Sequence, residues 1–337
     1  MKNRLLMKNF FKVFIISFMC FIIAFFLGSY MYLKNHGGSE VKNYSQEQVK
    51  KAEEKVKKKV SEEEPIDTLE RAINKSKRIN FVVLGMEDVR SDTMIFASFE
   101  PVKKQVDLIS IPRDTYLYRK GYEAAEMRKI NAVYASHGIN GVKKAVNHVL
   151  GGVPVHYYVM VDYDGVKKIV DSVGGIDVTV PFHMKYRDPT SKPPLYIDIP
   201  KGNQTLNGDK SVDFLRYRKQ NGSRGGYKDG DLGRVKAQQE FLKSFFKKSL
   251  SIKLPVVIKT SIDNVKTDIT ITEALTFGKI AVGMDEKNFN FTTLPGVATY
   301  KKINGKNLSY YIYDEIEIKK MMENIYGVVK KQKPSTE

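Results

Sequence analysis

Three apolar runs, at residues 81–84, 94–99 and 106–111, set the framework of the chain. Each has strand length and is rich in β-branched or aromatic residues, which predicts three strands. Polar clusters stand at their ends: Glu87 and Asp88, then Arg90, Ser91, Asp92 and Thr93, then Arg113, Asp114 and Thr115. Apolar strands that end in acids and arginines are how an α/β sheet builds a site along one edge. The same pattern also fits ordinary polar turns between core strands.

Downstream the period changes. Residues 142–150 have helical spacing and stop at Gly151 and Gly152, and a shorter helical run ends at His137 and Gly138. A strand is predicted at 155–161. A helix follows at 162–173, with Val166, Ile169, Val170 and Val173 on one face, and then a strand at 176–180 that Pro181 ends. This strand-helix-strand run predicts a crossover packed on the sheet. Four prolines make 182–203 an excursion with an edge strand at 196–199. Further helices are expected at 66–76, 208–217, 234–246, 272–282 and 315–329, with strand-like runs at 288–292 and 309–312. The glycine- and charge-rich residues 221–231 read as a loop. Nothing within 66–330 looks like a linker and no repeat is present, so these residues form one α/β domain, with 331–337 as a tail.

The N-terminal pattern differs in kind. Residues 13–33 carry no charged side chain and, as a helix, would span about 31 Å, close to the hydrocarbon thickness of a bilayer. Lys2, Arg4, Lys8 and Lys12 precede them, so the positive-inside rule places residues 1–12 in the cytoplasm and the rest outside. A cleaved signal peptide would have a shorter apolar region of about 7–15 residues and a small-x-small site. The expectation is a retained, single-pass transmembrane helix. The charged linker at 34–65 fits a solvent-exposed helical stalk and a chain without regular structure equally.

Composition narrows the chemistry. The chain has 337 residues and 42% hydrophobic content, enough for a sizeable core. Its single cysteine, Cys20, excludes an intrachain disulfide and a cysteine metal cluster. A net charge of +18 favours an anionic partner. An extracytoplasmic domain meets envelope polymers and lipid headgroups, and the short cytoplasmic piece holds no recognition fold, so nucleic acid is not expected.

At SDT, SIPRDT, KIN, VDYDGVKKIVDSVGGIDVTVP, RYR and DLGR followed by QQ, the chain resembles the LytR-CpsA-Psr family, over roughly residues 79–239. The resemblance implies a membrane-anchored, extracytoplasmic phosphotransferase with a three-layer α-β-α sandwich around a central mixed sheet. It implies transfer of an anionic glycopolymer (teichoic acid, capsule or related) from an undecaprenyl-pyrophosphate carrier to a peptidoglycan sugar hydroxyl, with Mg2+ and a tunnel for the polyprenyl chain. By position in the motifs, Asp92 falls on the acid that helps hold the metal. Arg113, Arg216, Arg218 and Arg234 fall on phosphate-binding arginines, and Gln238 on the glutamine after them. Three departures stand out. Glu87 replaces an aspartate, the segment between it and Arg90 is short, and Ala237 stands where an arginine is common, with Lys236 as the candidate replacement.

The residue types suit that chemistry. A pyrophosphate's oxygens must be held and neutralised, and the planar guanidinium fork does this without deprotonating. Arg216 and Arg218, two apart, point the same way only in extended backbone, which predicts a non-helical 216–218. Glu87 and Asp92 are hard oxygen ligands of the kind Mg2+ prefers, with phosphate oxygens and waters completing the shell. Asp114 is assigned to orienting Arg113 or a neighbour, and Asp92 is the candidate to accept the acceptor's proton. Residues alone equally permit a lipid-pyrophosphate hydrolase or a non-enzymatic envelope binding or regulatory protein. The apolar strands and the 166–173 helix could line a lipid slot, but periodicity by itself favours a packed core, and only the resemblance raises the slot.

Overall fold

The computed structural model describes residues 68–328, apart from 192–193, 219–220, 222–225, 228–230 and 250–253. The segments expected at 1–12, 13–33 and 34–65, the tail, and most of the 221–231 loop lie outside the described residues. Among those described, no helix is long and apolar enough to cross a membrane. The expected architecture and single-pass location are corrected accordingly: what stands is an α/β sandwich without a spanning helix among the described residues.

A six-stranded mixed sheet organises the domain. In order across it run β10 (Phe289–Thr293), β3 (Gln105–Ser110), β2 (Arg90–Glu100), β1 (Ile79–Glu87), β4 (Tyr157–Val161) and β9 (Lys266–Thr267). β1 pairs antiparallel with β2 and parallel with β4, and β3 pairs antiparallel with β2 and parallel with β10. Alternation along β1 explains the layering. Val82, Leu84 and Met86 are buried on one face with Phe96 and Ile109 of the neighbouring strands.

That face is covered by α1 (Leu69–Lys75), α2 (Val133–Val149) and, later in the chain, the helix Glu315–Tyr326, through Leu69, Val142, Val146, Ile318 and Met322. Full burial of each such side chain contributes roughly 1.5–3 kcal/mol. The opposite face presents Ile95, Ala97 and Leu108, against which Leu242 and Phe246 pack. α2 holds both helical runs read from sequence, joined across Gly138, whose φ of 58° interrupts the helical backbone.

A second core lies beside the sheet. It is built from α3 (Tyr163–Ser172), the paired strands β5 (Ile176–Val180) and β8 (Gly202–Leu206), the hairpin β6 (Met184–Asp188) and β7 (Leu195–Ile199), α4 (Gly208–Arg216), α5 (Asp231–Ser249) and α6 (Leu254–Asp263). The predicted crossover is therefore wrong: β5 leaves the main sheet and, among the described residues, pairs only with β8. Gly174 and Gly175, with φ of 82° and 81°, make the departure, a conformation that suits glycine. A Cβ on Gly175 would also lie 2.8 Å from the Leu206 carbonyl oxygen, so only glycine lets β8 come this close. The chain closes with α7 (Ile271–Ala281), the hairpin β11 (Gly296–Ile303) and β12 (Lys306–Tyr313), and α8 (Glu315–Tyr326). Sequence periodicity missed β6, β8, α6, β9 and β11.

Candidate active site

The site begins with the turn that joins β1 to β2. Only Asp88 and Val89 separate the strands, and Asp88 takes a φ of 52° to close the turn. Met86 pairs with Ser91 and Gly85 with Thr93, so Asp92 is the extra residue of a β-bulge. A bulge breaks the alternation of side chains and re-aims one of them. Here it turns Asp92 toward Glu87 at the end of β1. The short spacing in the sequence is thus a tight hairpin that sets two carboxyl groups side by side, within hydrogen-bonding reach of each other.

Arginines converge on this pair from distant parts of the chain. Arg113, just past β3, donates from Nη1 to Asp92 Oδ1 at 2.7 Å. Arg218 donates from Nη2 to the same oxygen at 3.2 Å, and Arg216 from Nη2 to Glu87 Oε1 at 2.9 Å. Arg234, 4% exposed, and Gln238 reach the pocket from α5. Gln238 donates to the Leu215 carbonyl oxygen at 3.3 Å and so ties α5 to the end of α4.

The prediction of non-helical backbone over 216–218 holds only in part. Arg216 is the last residue of α4, and the chain becomes extended at Tyr217, with φ −64° and ψ 130°. Ending the helix between them lets both guanidinium groups reach the acids.

Charges in this cluster shift one another. Burial, then the hydrogen bond and charge of Asp92, push the Glu87 carboxyl above the usual glutamate range despite Arg216 and Arg218. Burial alone would also raise Asp92. The hydrogen bond to Glu87 and the Arg218 and Arg113 guanidinium groups outweigh it and hold Asp92 below the usual range. The pair divides its labour: Asp92 is the anion that anchors arginines, and Glu87 is the more basic group.

Asp114 stands apart. Its carboxylate accepts from Lys129 Nζ at 3.0 Å, away from Asp92. The lysine belongs to the KIN run, whose Ile130 and Asn131 amides donate to the carbonyl oxygens of Thr115 and Arg113. That run is a brace holding the arginine-bearing loop against the sheet. Lys236 and Ala237 do not line this pocket either; they line a separate cleft beyond α5.

The pocket encloses about 360 Å³, with Val161, Val166, Val212 and Leu215 in its wall. Sequence reading missed four of its polar residues: Tyr163, Tyr186, Asp188 and Ser191. Tyr163 sits in the VDYDG run beside the α3 cap Asp162, so a signal existed. Arg216 lies over its ring at 4.4 Å, a cation–π contact. Burial pushes its phenol up to about 12, so it stays protonated. Tyr186, Asp188 and Ser191 come from the β6–β7 excursion, whose return over the pocket is tertiary and left no local mark. None of His137, His148, His156 and His183 lines the pocket.

In this mixed-sheet α/β sandwich, two adjacent carboxyl groups at the ends of the central strands are met by three arginines. The chain belongs to the LytR_cpsA_psr family, whose model matches residues 38–326. The polyisoprenyl-teichoic acid–peptidoglycan teichoic acid transferase TagV of Bacillus subtilis (strain 168) is 32% identical over 248 residues, which cover 70% of this chain and 61% of TagV. The match thus spans less than two thirds of that relative. TagU of the same strain, named as the same kind of transferase, is 30% identical over 253 residues, covering 72% of this chain and 76% of TagU. The crystal structure of B. subtilis TagV superposes with a TM-score of 0.62 at 29% identity, over 76% of this chain and 99% of that one.

Proposed function

We propose that this chain transfers an anionic glycopolymer from a polyprenyl-pyrophosphate carrier to a sugar hydroxyl of peptidoglycan, forming a phosphodiester. The observation that carries the reading is the convergence of Arg113, Arg216 and Arg218 on the Glu87–Asp92 pair, which lines a pocket together with the apolar Val161, Val166, Val212 and Leu215. Such a pocket matches an amphiphile with a diphosphate head. Family membership and the names of the TagV and TagU relatives support the same reading.

In this reaction the acceptor oxygen bonds to the phosphorus that bears the glycopolymer, and the bridging P–O bond breaks. Polyprenyl phosphate leaves with the bonding pair. The arginines hold the non-bridging oxygens and neutralise charge as it shifts to the leaving group, which is where most of the rate arises. The hydroxyl proton passes to the carboxyl pair. Sequence order singled out Asp92 for that role, but its charge is committed to two guanidinium groups, so Glu87 is the better acceptor of the two.

The donor set also fits Mg2+. Two oxygen ligands pressed together against like-charge repulsion are what a small divalent ion relieves, and Mg2+ commonly takes one or two carboxylates plus phosphate oxygens and water. Glu87 and Asp92, adjacent in the pocket, would be its protein ligands. When bound, the ion would withdraw charge from the pyrophosphate oxygens.

The test mixes the full chain with lipid-linked glycopolymer, uncrosslinked peptidoglycan and Mg2+. Polymer covalently joined to glycan, lost in Asp92→Asn and Arg113→Ala, is the expected result. Release of free polymer with no joined product would convert the reading to hydrolysis, and untouched donor would remove the enzymatic reading altogether.

A further inference from the structure

The β11–β12 hairpin is fastened to the loop that carries Arg113. Tyr116 N donates to the Tyr311 carbonyl oxygen at 2.9 Å, and Tyr311 N donates to that of Asp114 at 2.9 Å. Tyr310 Oη donates to the Ala125 carbonyl oxygen at 2.8 Å, and at the hairpin tip Asn304 Nδ2 donates to that of Glu123 at 2.7 Å. Asn304 and Gly305, with φ of 46° and 80°, make the two-residue turn between the strands. The hairpin is therefore a fixed rim beside the arginine-bearing loop.

Its outer strand is open. Among the described residues β11 pairs only with β12, and residues 297–302 are all exposed. Alternate backbone amides of such an edge have no strand partner and face solvent. The pairing register puts Lys301 with Leu308 and Thr299 with Tyr310, and Lys301 Nζ lies 4.2 Å from the centre of the Tyr116 ring. Tyr300 and Lys302 stand on the opposite face by strand alternation. A chain lying along the edge of β11 thus has a lysine on either side and donating amides between them.

Positive charge is in excess here. The acids beneath the hairpin are each matched by a cation: Asp114 by Lys129, Glu123 by Arg128 and Glu126 by Lys306. Among the described residues Lys301, Lys302 and Arg90 of the β1–β2 turn are exposed and form no ion pair. Against these three stands Asp88, exposed in the same turn as Arg90. Asp314 and Glu315 follow Tyr313 at the base of the hairpin, the end away from Lys301 and Lys302. Arg90 pairs with Glu87 in the β1–β2 register and so stands at the rim of the arginine pocket. The Lys306 hydrogen bond first, and the charges of Lys306 and Arg90 with it, hold the Glu126 carboxyl below the usual range. Cations therefore continue from the pocket rim at Arg90, past Lys306, to Lys301 and Lys302.

Lysines on an edge strand also guard it against pairing with another chain. That role does not reach Arg90, which lies on a different strand. Nor does it account for Tyr300, 73% exposed beside Lys301, because an aromatic residue on an open edge invites pairing. Its flat ring offers a face to a sugar or polyol repeat, and the lysines and free amides offer donors to the phosphates between repeats.

We propose that this rim, formed by Arg90 and the open edge of β11 with Lys301 and Lys302, binds the phosphate-bearing chain of the donor glycopolymer where it leaves the arginine pocket. The donor as occupant rests on the proposed transfer reaction; the polyanion chemistry of the rim does not. The polymer is joined covalently to the phosphate that the arginines hold, so its first repeats emerge beside the loop to which the hairpin is bonded. The eight residues of β11 span about 27 Å, so affinity rises over the first few repeats and then levels off.

Poly(glycerol phosphate) is titrated into the full chain, beside an uncharged glycan strand of N-acetylated amino sugars and phosphatidylglycerol vesicles. The phosphate polymer binds the wild type. Lys301→Glu with Lys302→Glu weakens it about tenfold at low salt, a loss that shrinks as salt screens the charges. Lys301→Arg with Lys302→Arg keeps the affinity. Lys301→Gln with Lys302→Gln, which removes charge without reversing it, weakens binding about threefold and covers a folding failure of the glutamate variant. Equal binding by the wild type and by the glutamate and glutamine variants overturns the proposal, as does lysine-dependent binding of the uncharged glycan or the vesicles in place of the phosphate polymer.

Transfer kinetics separate the two readings, using one lipid-linked donor with many phosphate repeats and one whose saccharide carries none. If transfer proceeds and the glutamate variant raises the KM for the long donor about tenfold, with kcat and the short-donor KM unchanged, both stand. If transfer proceeds and the long-donor KM does not move, the rim assignment fails alone. If the phosphate polymer binds as described and no transfer occurs, the reaction fails and the rim remains.

Discussion

The ladder between β2 and β3 carries an arginine–aspartate pair at each end, and the two pairs serve opposite purposes. At one end Arg78 Nη1 meets Asp107 Oδ2 at 2.8 Å, with both side chains 5% exposed. Gln105 and Asn290 also donate to Asp107, and Ser98 accepts from Arg78, so the pair's hydrogen bonds are met by protein. At the other end Arg113 meets Asp92 at 2.7 Å, with exposures of 23% and 19%. There the same aspartate oxygen is shared with Arg218, a second carboxyl stands beside it, and a cavity opens alongside. Distance does not distinguish a structural pair from a functional one. Saturation and access do: a pair whose bonds are all filled by protein holds the fold, and a crowded pair beside a cavity is poised to exchange partners with a ligand.

Breaking each pair should therefore fail in a different currency. Asp107→Ala leaves a buried guanidinium uncompensated and should cost about 3–5 kcal/mol of stability, with transfer per folded molecule unchanged. Denaturant unfolding beside a specific-activity assay reads both, and a loss of specific activity without loss of stability would reverse the comparison.

Arg113→Ala should lower transfer about 10²–10³-fold, the scale of losing one charge-stabilising donor. Its pair is part-exposed and Asp92 keeps Arg218, so stability should change by less than about 1 kcal/mol. Arg218→Lys keeps the charge and loses the fork. A drop of roughly tenfold, mostly in the KM for the lipid-linked donor, is expected, and full activity would show that point charge suffices there.

Tyr163→Leu removes the ring beneath Arg216, a contact of about 0.5–2 kcal/mol, and should raise the donor KM severalfold. Tyr163→Phe should be close to wild type, since its phenol stays protonated at working pH.

The smallest effect concerns pH. Asp92, held low, contributes stability that is present above the unfolded aspartate value of about 3.9 and is lost as pH falls through its lowered value. Glu87, held high, does the reverse: its contribution is present below about 4.3 and is lost as pH rises through its raised value. Glu87→Gln should thus melt at or above the wild-type temperature at pH 7, and the difference should shrink as pH falls below the wild-type Glu87 transition. A variant that melts lower at pH 7 would mean that Glu87 is a structural partner of Arg216 and not a repelled neighbour of Asp92.

Local signals in the chain settled a good deal. The apolar runs become β1, β2 and β3, and the glycine stops and proline breaks mark real ends, because strand period, helix period and breaker residues act through the nearest few positions. The order of short motifs marked Asp92, Arg113, Arg216, Arg218, Arg234 and Gln238 before any geometry was known. Tertiary structure decided the rest. It alone turned Asp92 out of register through a bulge, sent Asp114 to Lys129, and stopped α4 between two arginines. It moved β5 out of the main sheet and aimed Ala237 into a different cleft from Gln238. The physical reason is that partner choice depends on which surfaces meet once separate segments have packed, from 15 residues apart for Asp114 and Lys129 to 129 for Glu87 and Arg216, and the local pattern at one side of such a contact carries no record of the other.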